Sequence, residues 1–262
     1  MLGAFVVFLA LPLVLLIFKD DPEHIGEQPD GEPIPIAKED EEVTVSSRLV
    51  RGPLEADNWA ESYRTPPMWQ LTGAYFVCGM TTAIIAAHYV PFAIDRGTSP
   101  EVAALAFGLM SFLNFVGVIG IGLVSDKFSR KNLLGTVYAV RGLAYAMLLL
   151  LPGMVGIWGF AVIAGMSWVA TAPLTSSLTA DIYGLKNIGT LNGMATFAHN
   201  VGGAISVLLA GVLYDHFGAY DVPFGIAGSL LIGASIAAFS VRERKFSIRY
   251  QPAMTAAAGD GG

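Results

Sequence analysis

Six stretches of this chain are each apolar over the length of a membrane crossing, and nothing else in the sequence restricts the fold as strongly. A helix needs roughly 20 apolar residues to cross a hydrocarbon core about 30 Å thick. The windows 69–92, 101–124, 132–151, 156–180, 188–214 and 222–241 reach that length. The expected fold is therefore all-α and polytopic, with a six-helix bundle over residues 69–241. Charge content agrees, since only 14% of residues are charged against about 25% in a soluble domain.

A seventh apolar run, residues 2–18, is 17 residues long, at the short limit for a span. It has no basic residue before the run and no small-x-small cleavage site, so a spanning helix is expected and not a secretory signal. The net charge of -6 is concentrated in one place: residues 19–70 hold thirteen acids and five bases. Residues 19–68 read as an acidic, poorly ordered linker, rich in Pro, Gly and Glu. That excludes nucleic acid as a partner. Cys78 is the only cysteine, so no intrachain disulfide and no cysteine metal cluster can form. No metal site and no cofactor are expected, and no nucleophile elbow or phosphate loop is present to suggest an enzyme.

Basic residues set the topology, because Lys and Arg favour cytoplasmic loops near the ends of spans. Thirteen of the fifteen fall on one side: five in 19–70, three in 125–131, Lys186, and four in 242–249. The other side holds only Arg96, and Arg141 lies within a span. The linker, the 125–131 loop and the tail 242–262 are thus expected in the cytoplasm, and the bilayer in question is the inner or plasma membrane.

The 125–131 loop belongs to a dense polar block, Gly122-Leu-Val-Ser-Asp126-Lys127-Phe-Ser-Arg130-Lys131. The block resembles the helix-to-helix loop signature of the major facilitator superfamily, Gly-x-x-x-Asp-Arg/Lys-x-Gly-Arg-Lys/Arg, with Ser129 in place of the last glycine. Residues 2–18 and the following Asp20-Asp21-Pro22-Glu23 resemble the end of the sixth helix and the start of the central loop in monocarboxylate-transporter-like members. The six later windows resemble the C-terminal half, and the family's first five helices have no counterpart. The resemblance implies a secondary carrier, working by alternating access, whose other half is a separately encoded N-terminal partner or a second copy of this chain.

It also implies a cytoplasmic gate. Asp126 ends one helix and can neutralise the N-terminal end of its neighbour, while Arg130 and Lys131 begin the next span and Asp181 ends the fourth on the same side. Gly122, Asp126, Lys127, Arg130, Lys131 and Asp181 form the expected network, and replacing Asp126 with Asn is expected to abolish transport. The alternative is that these charges only fix topology and meet headgroups. A serine at 129 adopts the positive φ of a glycine turn less readily, so a different turn is expected there.

Ionisable groups inside spans are functional candidates by default. Arg141 lies about nine residues into its helix, about 13 Å deep at 1.5 Å per residue. It either binds a substrate carboxylate in bidentate fashion, or it pairs with helix-end carbonyls or snorkels towards the inner surface. His199 and Asn200 lie near the middle of the fifth window, where the resemblance to oxalate:formate antiporters implies anion or proton binding; an interior histidine with satisfied partners is the alternative. The Asp and Arg that monocarboxylate carriers bear four apart in their eighth helix are Asn114 and Val118 here, which argues against their mechanism. Tyr75, Thr81, Trp168 and Thr171 are placed at a cavity because family cavities use the first and fourth spans. Pro173 is expected to kink the fourth.

A small solute, an organic anion such as a carboxylate, is the expected cargo. The competing reading is a membrane scaffold or sensor, or a truncated gene product, that keeps the fold without transporting.

Overall fold

All six windows fold as membrane-length helical crossings, the fourth with a break, in the computed structural model, which describes residues 52–251 together with Phe8 and residues 12–14. The chain divides into two units, Met1–Arg48 and Leu49–Gly262. In the first, Phe8 and residues 12–14 are helical and exposed. The rest of the 2–18 span, the acidic stretch 19–51 and the tail 252–262 lie outside the described residues.

The second unit runs α1 (Trp59–Ser62), α2 (Pro66–Asp95), α3 (Pro100–Ser125), α4 (Arg130–Leu150), α5 (Gly153–Ser167), α6 (Thr171–Tyr183), α7 (Ile188–Phe217), α8 (Asp221–Ser240) and α9 (Glu243–Phe246), closing on a 3-10 turn at Ile248–Tyr250. Among the described residues six crossings are long and apolar enough to span a membrane, with α5 and α6 together making the fourth, Gly153–Tyr183. Helix starts follow local chemistry. Pro66 and Pro67 open α2 and Pro100 opens α3, where a missing N–H costs the ladder nothing. Gly218, with φ at +67°, stops α7 in the left-handed conformation that glycine alone adopts freely.

Residues 52–65, expected to be poorly ordered, instead fold against the end of α6. The Leu54 N–H donates to Ile182 O at 2.9 Å, and Asn187 donates to Ala56 O at 2.8 Å.

The fourth crossing breaks earlier than Pro173 would suggest. Residues 168–170 are not helical, and Pro173 sits in the first turn of α6. There the N–H groups lack intrahelical partners in any case, so the proline fits the helix and does not bend it.

Aromatic residues hold the helices together. The hydroxyls of Tyr89, Tyr138 and Tyr145 donate to Ile157 O (2.9 Å), Ala74 O (2.9 Å) and Thr81 O (2.8 Å), tying α2, α4 and α5. Burying three phenols in a membrane is tolerable because each finds such an acceptor. Phe92, Phe160 and Phe224 pack among these rings.

The glycines fall into two sets. A Cβ on Gly79 would run into the His199 backbone and one on Gly202 into Phe76 O, so α2 and α7 touch backbone to backbone. Gly117 and Gly165 do the same for α3 and α5. By contrast, Gly108, Gly120, Gly122, Gly189, Gly193 and Gly211 face open space. Gly189 and Gly193 thus make no close helix contact among the described residues. Only 22% of the span window is buried in α3 and in α7, against 50% in α2, so α2 is central and the other two present bare faces.

Candidate functional site

The signature block places its charges at one end of the bundle, between α3, α4 and α6. Arg130 donates to Asp181 at 2.7 Å and to Ser177 O at 3.2 Å, and reaches Asp126 at 3.4 Å. The two ion pairs are unequal. Side-chain exposure is 16% for Arg130 and 11% for Asp181, but 77% for Asp126. A pair in bulk solvent contributes about 0–1 kcal/mol, whereas removing one partner of a buried pair costs about 3–5 kcal/mol. Asp181 is thus the principal partner of Arg130. Lys127 is exposed, and Lys131 donates to Phe239 O at 3.0 Å at the end of α8.

Ser129 needs no positive φ. Its φ is -60°, and it is the N-cap of α4, accepting from the Asn132 N–H. Its hydroxyl donates to Glu243. That glutamate is only 1% exposed and also accepts from the Arg130 and Lys131 N–H groups at 2.9 and 3.3 Å. A carboxylate at a helix N-terminus meets both unpaired donors and the positive end of the dipole. Arg249 completes the arrangement at the other helix end, donating to Ser125 O (3.1 Å), Asp126 O (2.6 Å) and Phe128 O (3.2 Å). The tail therefore clasps the signature loop from both sides. Sequence reasoning missed this, because Glu243 lies in a run that stands out for its basic residues.

Deeper in the bundle, His199 and Asn200 line a cavity of about 480 Å³ with Gly79 and Gly203. His199 lies 4.7 Å from the Tyr75 ring between centroids, and its Nε2 is 3.3 Å from the Thr82 hydroxyl. Tyr75 lines a neighbouring cavity of about 280 Å³ with Thr175, Ser176, Asn192 and Thr196, where Asn192 donates to the Ser176 hydroxyl at 2.8 Å. Neither cavity is lined by an Asp or Glu. Asn192, Thr196 and His199 stand at i, i+4 and i+7 on α7, and Tyr75 and Thr82 at i and i+7 on α2, spacings that put each set on one helix face. That spacing was available in the sequence and would have added Thr82, Asn192 and Thr196.

The other candidates lie elsewhere. Arg141 is fully buried and donates to Trp168 O at 2.7 Å and to Ser167 O, with Thr81 and Cys78 beside it at 3.4 and 3.5 Å. Of the roles open to it, the helix-end carbonyls are the partners seen. Thr81 and Thr171 are buried too. Thr81 bonds back to its own helix, and Thr171 meets Cys78 at 3.0 Å. Asn114 accepts from the Val169 N–H at 2.9 Å, and the Trp168 indole donates to Thr82 O at 3.4 Å. Arg141, Asn114, Trp168 and Thr171 are thus gathered around the helix break, and of the eight binding candidates Tyr75, His199 and Asn200 open onto these two cavities.

The sequence profile of the Major Facilitator Superfamily matches residues 1–207, with a second match over 71–256. The chain belongs to the Major Facilitator Superfamily. Its relatives there include monocarboxylate transporter 12-B of Danio rerio, 26% identical over 71% of this chain and 40% of the relative. The MFS-type transporter YcxA of Bacillus subtilis is 32% identical over 53% of this chain and 35% of its own length. Among solved structures the E. coli fucose:proton symporter FucP aligns with a TM-score of 0.59 at 15% identity, over 69% of this chain and 45% of that one. At that identity the likeness shows the superfamily fold alone. The chain matches less than half the length of each of these proteins. It is a multi-pass membrane protein of a transporter family.

Proposed function

We propose that the six-helix bundle is one half of an alternating-access carrier for a small organic anion. The observation that carries this reading is the polar face on α2, α6 and α7. Tyr75, Ser176, Asn192, Thr196, His199 and Asn200 open onto cavities of about 480 and 280 Å³, and the Thr82 hydroxyl lies 3.3 Å from His199. Few convergent polar groups in an otherwise apolar hollow are what a small-solute site needs. In carriers of this kind substrate sits at midplane between two halves that rock against each other.

The bare faces of α3 and α7 support a second bundle as the partner. They carry Phe112, Phe115, Phe197, Leu208 and Val212 exposed beside glycines that meet nothing. An anionic cargo is supported by the cavity linings, which hold a protonatable histidine and no carboxylate, and by a relative named for monocarboxylates. The Asp126, Arg130 and Asp181 cluster then serves as the gate on the cytoplasmic side, the side assigned by the basic residues, with the C-terminal tail on that face of the cell membrane.

Uptake of radiolabelled carboxylates into vesicles tests the reading, with this chain expressed alone and with a candidate N-terminal half. Saturable uptake is expected only with the partner. Uptake by a monomer of this chain overturns the half-carrier reading, and no uptake of any anion in either arrangement overturns the carrier itself.

A further inference from the structure

We propose that Arg141 and Asn114 are positioning residues that hold residues 168–170 as a hinge, about which α6 swings when the Arg130 to Asp181 pair opens. This rests on the alternating-access reading and adds to it a moving part.

An interrupted helix in a membrane leaves backbone groups without ladder partners, and such a break persists only where other groups satisfy them. Here the partners come from two different helices. Asn114 on α3 takes the Val169 N–H at 2.9 Å. Arg141 on α4 takes Trp168 O at 2.7 Å and Ser167 O as well. The bonding partners of Arg141 are carbonyls, a thiol and a hydroxyl, all uncharged when the thiol holds its proton. What offsets its buried charge is the negative end of the α5 dipole. That end exists only while α5 stops at Ser167. In an unbroken helix the Ser167 and Trp168 carbonyls would each give one lone pair to the residue four ahead, and Arg141 would face no exposed dipole end. The broken crossing therefore holds Arg141 better than a straight one, which gives the segment two alternative bonded arrangements.

The placement of α6 makes the break consequential. Arg130 and Arg141 are eleven residues apart on α4, about three turns, and so share a face. Arg141 holds the chain just before α6, and Arg130 holds Asp181 near its far end. One helix thus pins α6 at both ends, and when the Asp181 end lets go the remaining fixed point is the break. Trp168 also ties the break to the cavity, since its indole donates to Thr82 O and the Thr82 hydroxyl touches His199.

Hydrogen–deuterium exchange on the full chain in lipid nanodiscs tests this without any substrate, so its outcome is separate from that of uptake. Asp181→Asn alone is expected to speed exchange over 177–187 and leave 168–170 unchanged. Adding Asn114→Ala or Arg141→Met is expected to speed 168–183 together by on the order of 5-fold, the effect of about one lost hydrogen bond, with 153–163 at the wild-type rate. Asn114→Asp and Arg141→Lys keep an acceptor and a donor and are expected to restore protection. Exchange confined to 168–170, exchange unchanged at the break, or a rise throughout α4, α5 and α8 each overturns the hinge. If Arg141→Met fails to fold, Asn114→Ala, at a half-exposed site, decides between the same outcomes.

Discussion

Replacing Asp181 with Asn should open the signature-loop end of the bundle far more than the same change at Asp126. The substitution keeps shape and removes charge, leaving Arg130 at 16% exposure with Ser177 O and the more distant Asp126. Breaking a fully buried pair costs about 3–5 kcal/mol. Since Arg130 keeps those two partners, a value of about 2 kcal/mol is the better expectation. If the pair exists only in the closed state, that loss shifts the closed-to-open ratio by roughly 30-fold, at 1.4 kcal/mol per factor of ten. Asp126 lies 3.4 Å away with 77% of its side chain exposed, which limits its pair to about 0–1 kcal/mol, or at most about 5-fold.

The assay is the alkylation rate of a cysteine placed at Ser176, which lines the polar cavity, in inside-out vesicles and with Cys78→Ala as background. Asp181→Asn should raise the rate about 30-fold and Asp126→Asn by no more than about 5-fold. The Asp126 effect should also fade at 1 M salt, where the screening length is about 3 Å. Equal effects of the two substitutions, or a larger one at Asp126, would refute the ranking by burial. If the ranking holds, the complete loss of transport that the signature implies for Asp126→Asn stands on a role other than its pairing with Arg130.

Three further outcomes follow from the packing. Glu243→Gln should lower thermal stability by about 1–3 kcal/mol, because the Arg130 and Lys131 N–H groups and the Ser129 hydroxyl would lose a charged acceptor; fluorescence-detected melting in detergent reads this, and an unchanged melt would rule out the clasp. Gly79→Ala should disrupt folding, since its Cβ meets the His199 backbone, while Gly189→Ala should fold normally, having nothing within 4 Å; comparable yields of monodisperse protein for the two would contradict the close α2 to α7 approach. His199→Gln, tested with the partner half present, should raise KM for a carboxylate at least about 10-fold if the ring binds the anion as a charged donor, whereas an unchanged KM would leave it a packing residue beside Tyr75.

The spans were legible because a bilayer enforces one rule along the whole chain: five of the six windows over 69–241 became single helices with ends displaced by a few residues, and the fourth became two. The Arg130 to Asp181 contact was legible too, through a motif and a shared side. What the windows concealed were contacts made across the bundle. Glu243 reads as one acid among Arg242, Arg244 and Lys245, and only the fold brings its carboxylate beneath the start of α4, more than a hundred residues earlier.

The helix break shows why local signals mislead here. Pro173 is the visible breaker, yet a proline in a first turn costs a helix nothing, and its position marks where α6 begins. The break itself is bonded by Arg141 and Asn114, residues 26 to 55 positions away in sequence, in place of ladder partners. In sequence both look like ligands for a substrate, because a polar group in a span needs a partner. The partner proves to be backbone. A buried arginine in an apolar crossing therefore points as much to an interrupted neighbouring helix as to an anion, and an unbonded carbonyl end is what distinguishes the two. That end belongs to the crossing that carries Asp181, so a residue whose bonds go to backbone is the one we propose governs whether this crossing moves.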